Sequence, residues 1–453
     1  MEESVKTLST RGAEIAVSSH DRSLLDNIRN LYDPSANPNG YVSLRLAENL
    51  LMQQEMTEFI NKSFGLPEVA LTYGDGGSGS KRLCAAISRF VNKHFSPLNA
   101  VTPDQICVTN GTSSSIEGCA WHLGDSGDGF LLGQPYYGAF PADVGSRPHV
   151  KIVSVKFQDT DPLSLDAVKK YETALLESEK SGTKVKGLIL CSPHNPLNRC
   201  YPKDVLAGFM RLCQKYRIHL ISDEIYALSV WHNPEHPDVP TFTSVLSIGI
   251  SDIISPELIH VLWGMSKDFG ASGLRIGVVI SQNNPAFISA LQSYSLYTFP
   301  SSAADHITCQ ILENDGYTDS YICENRRRLS EHYQLTTRFL REHNITYTPG
   351  GNAAFFIWAN LQEAWTKRHQ TNEVDSAQRQ MQGLSVLSSN IVQDAAVADM
   401  TTEITSKLLE QKVFLASGTT FGCERPGWFR IVFSQPREYL EEGIQHIVKA
   451  IQS

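Results

Sequence analysis

The sequence predicts an α/β protein whose main unit is a wound domain with a mostly parallel sheet, and three observations carry that prediction. Short apolar runs recur between Ile106 and Ile280, at 106–108, 129–132, 150–155, 185–190, 218–221, 258–263 and 276–280. Most are separated by helix-length segments such as 114–122, 165–178 and 202–216. Strands that alternate with helices build a parallel sheet covered on both faces. Beyond Pro300 the rhythm changes to helices at 303–315 and 318–343, with strand-like pieces at 353–359, 413–416 and 427–434.

The remaining elements follow from local pattern. The first forty residues read as helical and then turn-rich through Asp33-Pro34-Ser35-Ala36-Asn37-Pro38-Asn39-Gly40. Alternation over 42–49 predicts a short strand ending in a polar loop, followed by a helix from about Leu51 to Ser63. A glycine-dense loop, Tyr73 to Ser80, leads into an amphipathic helix over 81–94. The run Arg326-Arg327-Arg328 reads as a solvated helix face. The stretch 366–400, rich in Gln, Ser, Asn and Asp with weak periodicity, reads as a partly disordered, lid-like insertion.

Composition bounds the function. The chain has 453 residues, 41% hydrophobic and 19% charged, an ordinary globular balance. A formal net charge of -9 argues against a broad nucleic-acid or anionic-membrane surface. No apolar run reaches the ~20 residues that span a membrane, and no charged-then-apolar leader opens the chain; the expectation is a soluble, cytoplasmic protein. Nine cysteines are scattered without a CxxC pair, which points to reduced core thiols. The 14 histidines show no metal-ligand spacing, so no metal site is expected.

The chemistry sits where ligands bind in such sheets, at the carboxyl ends of the strands. After the run 258–263 comes Gly264-Met265-Ser266-Lys267-Asp268, with Arg275 eight residues beyond Lys267. A lysine among apolar residues loses its proton more easily because desolvation disfavours the ammonium. A neutral amine forms a Schiff base with an aldehyde, which is how a lysine carries pyridoxal phosphate. Arg275 offers a planar fork to a phosphate. Thr109-Asn110-Gly111-Thr112-Ser113 enters a helix N-terminus, where free N–H groups favour an anion. Tyr136-Tyr137 can lay a ring against a flat cofactor. Asn195, fixed between Pro193 and Pro196, can hydrogen-bond a phenolic oxygen, and Asn198 suits the left-handed turn required there. Asp223, at the end of a buried strand, needs a partner that a protonated pyridinium nitrogen provides. Arg430 stands alone in the apolar run 427–434 and therefore meets an anion, with a substrate α-carboxylate the natural choice.

On these residues the chain resembles the fold-type I pyridoxal-phosphate enzymes of the class I/II aminotransferase superfamily, and within them the 1-aminocyclopropane-1-carboxylate (ACC) synthases and ACC-synthase-like enzymes of fungal metabolism. The motifs are Leu46-Ala47-Glu48-Asn49, Asn195-Pro196-Leu197, Ser222-Asp223-Glu224-Ile225-Tyr226, Ser266-Lys267-Asp268 with Arg275, and Pro426-Gly427-Trp428-Phe429-Arg430. The resemblance implies a three-layer αβα large domain with a mostly parallel seven-stranded sheet over 45–300, and a smaller α+β domain from 1–44 and 301–453. It implies pyridoxal 5'-phosphate held by Thr112, Ser113, Tyr137, Asn195, Asp223, Tyr226, Ser266, Lys267 and Arg275. Lys267, Tyr73 and Asp223 would be catalytic, and Glu48, Tyr73, Asn195 and Arg430 would meet an amino-acid substrate. Tyr73 would reach across from a second subunit, making the active unit a homodimer. Two departures stand out: Gly264 replaces a serine common in the family, and Ala142 replaces an arginine that ACC synthases aim at their substrate. The expected reaction is carbon–sulfur cleavage of S-adenosylmethionine or of a cysteine-derived conjugate in secondary metabolism. Transamination is the alternative, and a non-catalytic regulator on the same fold is a third reading.

Overall fold

The structure is a computed structural model that describes residues 7–18, 27, 29–368 and 391–453. In chain order its strands are β1 (Val42–Ser43), β2 (Ile106–Asn110), β3 (Gly129–Gly133), β4 (Lys151–Val155), β5 (Val185–Cys191), β6 (His219–Asp223), β7 (Ile259–Gly264), β8 (Ile276–Ile280), β9 (Thr346–Tyr347), β10 (Phe356–Asn360), β11 (Val413–Phe414), β12 (Ala416–Ser417) and β13 (Trp428–Val432).

Seven of these form one sheet in the order β2-β8-β7-β6-β5-β3-β4. Every pairing is parallel except those of β8, which runs antiparallel to both β2 and β7. The exception has a simple cause. A parallel return needs a crossover of a dozen or more residues, and residues 265–275, between β7 and β8, are too few. That segment holds only a single helical turn, Met265–Asp268, and a 3-10 turn, Ser272–Leu274. The central strands β6, β7 and β8 are buried along nearly their whole length, which is why they read as continuous apolar runs.

Helices cover the sheet. Lys81–His94 starts where the Ser80 hydroxyl accepts from Leu83 N, and it buries Leu83, Ile87, Phe90 and Val91. Phe90 stacks on Trp263 of β7 at 5.1 Å and meets Phe269 at 5.7 Å. Lys203–Tyr216 buries Val205, Leu206, Phe209 and Met210. A four-stranded sheet, β12-β13-β10-β9, and the pair β1-β11 lie outside the large sheet. The long helix Asp315–Glu342 runs beside them. Among the described residues no helix is long and apolar enough to cross a membrane.

Several expectations are revised. The short strand expected within 42–49 spans only Val42 and Ser43. Beyond it the backbone carbonyls serve side chains in place of a neighbouring strand: Arg45 O accepts from Arg430, Ala47 O from Lys267 and Glu48 O from Ser434. The strand expected over 413–416 splits, because Val413 and Phe414 pair with β1 while Ala416 and Ser417 pair with β13. The arginine run is not uniformly solvated. Arg327 pairs with Glu324 at the surface, but Arg328 reaches Glu55 and Arg326 turns inward to the carbonyl of Leu228. Seven cysteines are buried, while Cys323 is exposed and Cys423 half-buried. Of the expected N-terminal helix, Thr10–Ser18 is helical, and 1–6 and 19–26 lie outside the described residues. Most of the expected insertion, 369–390, does too, and from Ile391 the chain is helical to Glu410.

Candidate active site

Thr112, Ser113, Tyr137, Asn195, Asp223, Tyr226, Ser266, Lys267 and Arg275 come together around one pocket of about 120 Å³, with Ser272 and Cys191 among the other lining residues. Each arrives from a strand end. Thr112 and Ser113 open the helix Thr112–Leu123 after β2, Asn195 follows β5, Asp223 closes β6, and Ser266 and Lys267 follow β7.

Lys267 is held by the backbone carbonyl of Ala47, which accepts from Nζ at 2.6 Å. Burial pushes the amine down to about 8. The Arg430 charge pushes the same way, while Glu48 and Asp223 oppose it. A pKa near 8 leaves a useful neutral fraction near neutral pH, which a nucleophilic amine needs.

Asp223 is 4% exposed. Its carboxylate accepts from Ile225 N at 3.3 Å, and burial raises it to about 7 despite that bond and the Lys267 charge. A buried carboxylate with one weak donor favours a cationic N–H placed against it. Behind it, burial raises Asp143 to about 7 with help from the charges of Asp223 and Glu117, and Asp143 Oδ2 has no partner.

The phosphate end is shaped by close backbone approach. Gly111 has φ +81°, and a Cβ there would sit 2.1 Å from Nη2 of Arg275. Arg275 itself adopts φ 53° and donates to the carbonyls of Ser272 at 3.0 Å and Asn110 at 3.5 Å. This folds its guanidinium over Gly111, beside the helix N-terminus. Thr112 Oγ1 is buried there without a partner. The bare hydroxyl, helix N–H groups and guanidinium are the donor set a phosphate takes, so the pocket fits pyridoxal phosphate. Gly264 is explained by packing: a Cβ would fall 2.4 Å from the carbonyl of Ile276 and 3.1 Å from Thr112 Oγ1. Backbone of β8 fills the room a serine would need.

Arg430, on β13, is buried. It donates to Asn195 Oδ1 at 2.9 Å and to Arg45 O at 2.8 Å, and its Nε has no partner. Its guanidinium packs over Phe421 and Phe356. Tyr226 is fully buried beside it, and burial raises its phenol well above the ordinary value although Arg430 opposes this. Asn198 adopts φ 49°, the left-handed turn expected of it. Glu48 reaches the rim and accepts from Ser272 Oγ at 3.3 Å.

Two predicted positions lie apart. Tyr73 is 89% exposed and lines a different cleft, with Asp75, Arg82, Phe299 and Asp305. Ala142 is exposed on the short helix Phe140–Gly145. Sequence reasoning missed the Ala47 carbonyl, Ser272 and Asp143. A backbone carbonyl has no residue signature, and a single serine in the turn before Arg275 carries none either.

A seven-stranded sheet with a strand-end lysine, a buried aspartate and a phosphate cup defines a fold-type I pyridoxal-phosphate enzyme. Residues 48–447 match the family described as aminotransferase class I and II, and the chain belongs to that family. It is 29% identical over 427 residues to the probable aminotransferase sirI of Leptosphaeria maculans, covering 94% of each chain. It is 28% identical to 1-aminocyclopropane-1-carboxylate synthase 2 of Arabidopsis thaliana, covering 88% of this chain and 76% of that protein. Its fold resembles the aspartate aminotransferase from Thermus thermophilus with maleate, with a TM-score of 0.71, 18% identity and coverage of 98% and 99%. The cofactor of this family is pyridoxal 5'-phosphate.

Proposed function

We propose that the protein is a lyase that cleaves a carbon–sulfur bond in an α-amino acid, S-adenosylmethionine or a cysteine-derived conjugate, in secondary metabolism. The observation that carries this reading is Glu48. Its carboxylate stands at the pocket rim on Ser272, and its charge acts on Lys267. A carboxylate so placed stabilises a cationic sulfonium.

Bound pyridoxal phosphate supplies an aldehyde for a Schiff base and an electron sink for charge developing at Cα. The chain supplies the rest. Lys267 Nζ would hold the aldehyde and would take the Cα proton. Asp223 keeps the pyridine nitrogen protonated. Asn195 and Tyr226 bind the phenolic oxygen, and Tyr137 covers the ring. Thr112, Ser113, Ser266 and Arg275 hold the phosphate. Arg430, with Asn195 beside it, takes the substrate carboxylate. Tyr73 serves the site of a second copy, a role supported by its exposure and by the apolar surface near it, Val69, Leu71 and Phe299. The active unit is then a cytoplasmic homodimer. Residues 45–300 form its large domain, and 1–44 with 301–453 its small one.

Transamination is the second reading, favoured by the aminotransferase relative and by Ala142, which offers no charge where ACC synthases place an arginine. The deciding experiment incubates the cofactor-loaded enzyme with S-adenosylmethionine, cysteine conjugates and plain amino acids, and identifies every product. A thiol, thioether or methylthioadenosine with the cofactor regenerated supports cleavage. Conversion to pyridoxamine phosphate and a keto acid, with no sulfur product, establishes transamination instead.

A further inference from the structure

A second cleft, of about 360 Å³, is lined by His94, Trp231, His232, His236, Arg326 and Asn352 among others. Arg326 is its most unusual member. Its Nε donates to Leu228 O at 2.9 Å, but among the described residues its two terminal nitrogens make no hydrogen bond or ion pair. Burial lowers its pKa. It makes no direct salt bridge with Asp268, although that charge acts on it: the Leu228 peptide stands between them, its carbonyl on the guanidinium and its N–H donating to Asp268 Oδ2 at 3.1 Å. Asp268 also accepts from Ser229 Oγ at 2.8 Å and Trp263 Nε1 at 3.0 Å. Three donors thus hold Asp268, and the Arg326 charge adds to them only across the peptide. Terminal guanidinium nitrogens without a protein partner are open to an anion, whose oxygens they bind in pairs.

Two neighbouring groups are also without partners. Trp231 is 5% exposed, and among the described residues its indole N–H finds no acceptor. Asn352 is 3% exposed, and its Oδ1 accepts from nothing. Its Nδ2 donates to Pro240 O at 2.8 Å, which orients the amide. Trp231 N donates to Asn352 O at 2.9 Å, so the two residues are fixed side by side. His94 adds a buried Nε2 with no hydrogen bond, 3.7 Å from Asp319 on the rim. The inventory is therefore one cation, one N–H donor and one acceptor, with the Asp268 charge acting on the cation only across the Leu228 peptide.

We propose that this cleft is a second binding site, separate from the Lys267 pocket, for a small carboxylate that also carries a hydroxyl or amino group. The carboxylate meets Arg326 and the Trp231 N–H, and the hydroxyl or amino hydrogen meets Asn352 Oδ1.

L-malate, titrated calorimetrically into the cofactor-loaded enzyme, tests this. Malate also suits Arg430, so two variants separate the sites. The expected result is two independent sites, one weakened at least tenfold by Arg326→Gln and the other by Arg430→Gln. Trp231→Phe removes the indole N–H with part of the ring's bulk and keeps an aromatic ring beside Tyr333 and Phe433. It weakens the Arg326-dependent site several-fold even if Arg326→Gln, which also loses the bond to Leu228, folds poorly. Succinate, without the hydroxyl, binds that site more weakly than malate. A single site lost in Arg430→Gln overturns the proposal, as does a second site that neither Arg326→Gln nor Trp231→Phe weakens, or no binding at millimolar malate.

Discussion

Lys267 Nζ donates to the carbonyl of Ala47 across 2.6 Å, so the residue before Glu48 grips the amine around which the pocket is built. The N-terminal segment thus enters the site twice, once through backbone and once through a carboxylate.

This arrangement predicts how Glu48 tunes the lysine. Glu48 favours the charged amine, and burial, the larger effect, favours the neutral one. Reloading of cofactor-free protein with pyridoxal phosphate should therefore quicken with pH and level off above about 8. In Glu48→Gln the half-rise should move to lower pH, because the charge that stabilised the ammonium is gone. Stopped-flow absorbance measures it, and a shift to higher pH would contradict the assignment.

Asp143 predicts a pH-dependent gain in stability. Its folded-state pKa of about 7 lies above the unfolded value, near 3.9. The folded chain therefore binds an extra proton between those values. The stability linked to this group is fully present below pH ~4 and is lost as pH rises through about 7. Asp143→Asn does not ionise. It should match the wild type near pH 4 and exceed it by about 2 kcal/mol at pH 8, roughly half the full linkage value. Denaturant melts of the cofactor-free proteins at the two pH values check the sign. Equal differences at both would refute it.

Arg430 joins β13 to Asn195, and its Nε remains free for a ligand. Arg430→Lys keeps one charge but loses the fork that holds Asn195 and Arg45 O together. KM for the amino-acid substrate should rise about 100-fold, about 3 kcal/mol of binding, while cofactor content stays near wild type. Steady-state kinetics with cofactor quantified in the same sample separates the two effects. Loss of cofactor with an unchanged KM would move Arg430 out of the substrate site.

Gly264→Ser tests whether the phosphate cup lacks a donor or lacks room. The new Cβ would collide with the Ile276 carbonyl, so the variant should lose about 1–3 kcal/mol of stability and bind pyridoxal phosphate no more tightly. Thermal melts and equilibrium dialysis report both, and a tighter complex at unchanged stability would show that the serine fits.

Much of the pocket was legible because pyridoxal chemistry demands distinctive residue types at strand ends. Lys267, Asp223 and Asn195 each follow an apolar run and Arg275 precedes one, and the fold brings those ends together. Tyr73 and Ala142 show the limit. Both belong to expected motifs, yet within the chain neither reaches the pocket, since loop geometry sets their surroundings. Arg326 shows another: in sequence it is one of three adjacent arginines, and helical rotation alone turns it inward while Arg327 faces solvent.

What the sequence by itself determined is the α/β alternation, the strand ends and the residue types of a cofactor site, because period and composition are local properties. The tertiary structure alone decided the reversed strand β8, the carbonyl of Ala47 on Lys267, the crowding at Gly264 and the unpaired guanidinium of Arg326. Each depends on groups far apart in the chain arriving within a few ångströms, and no local pattern records that meeting.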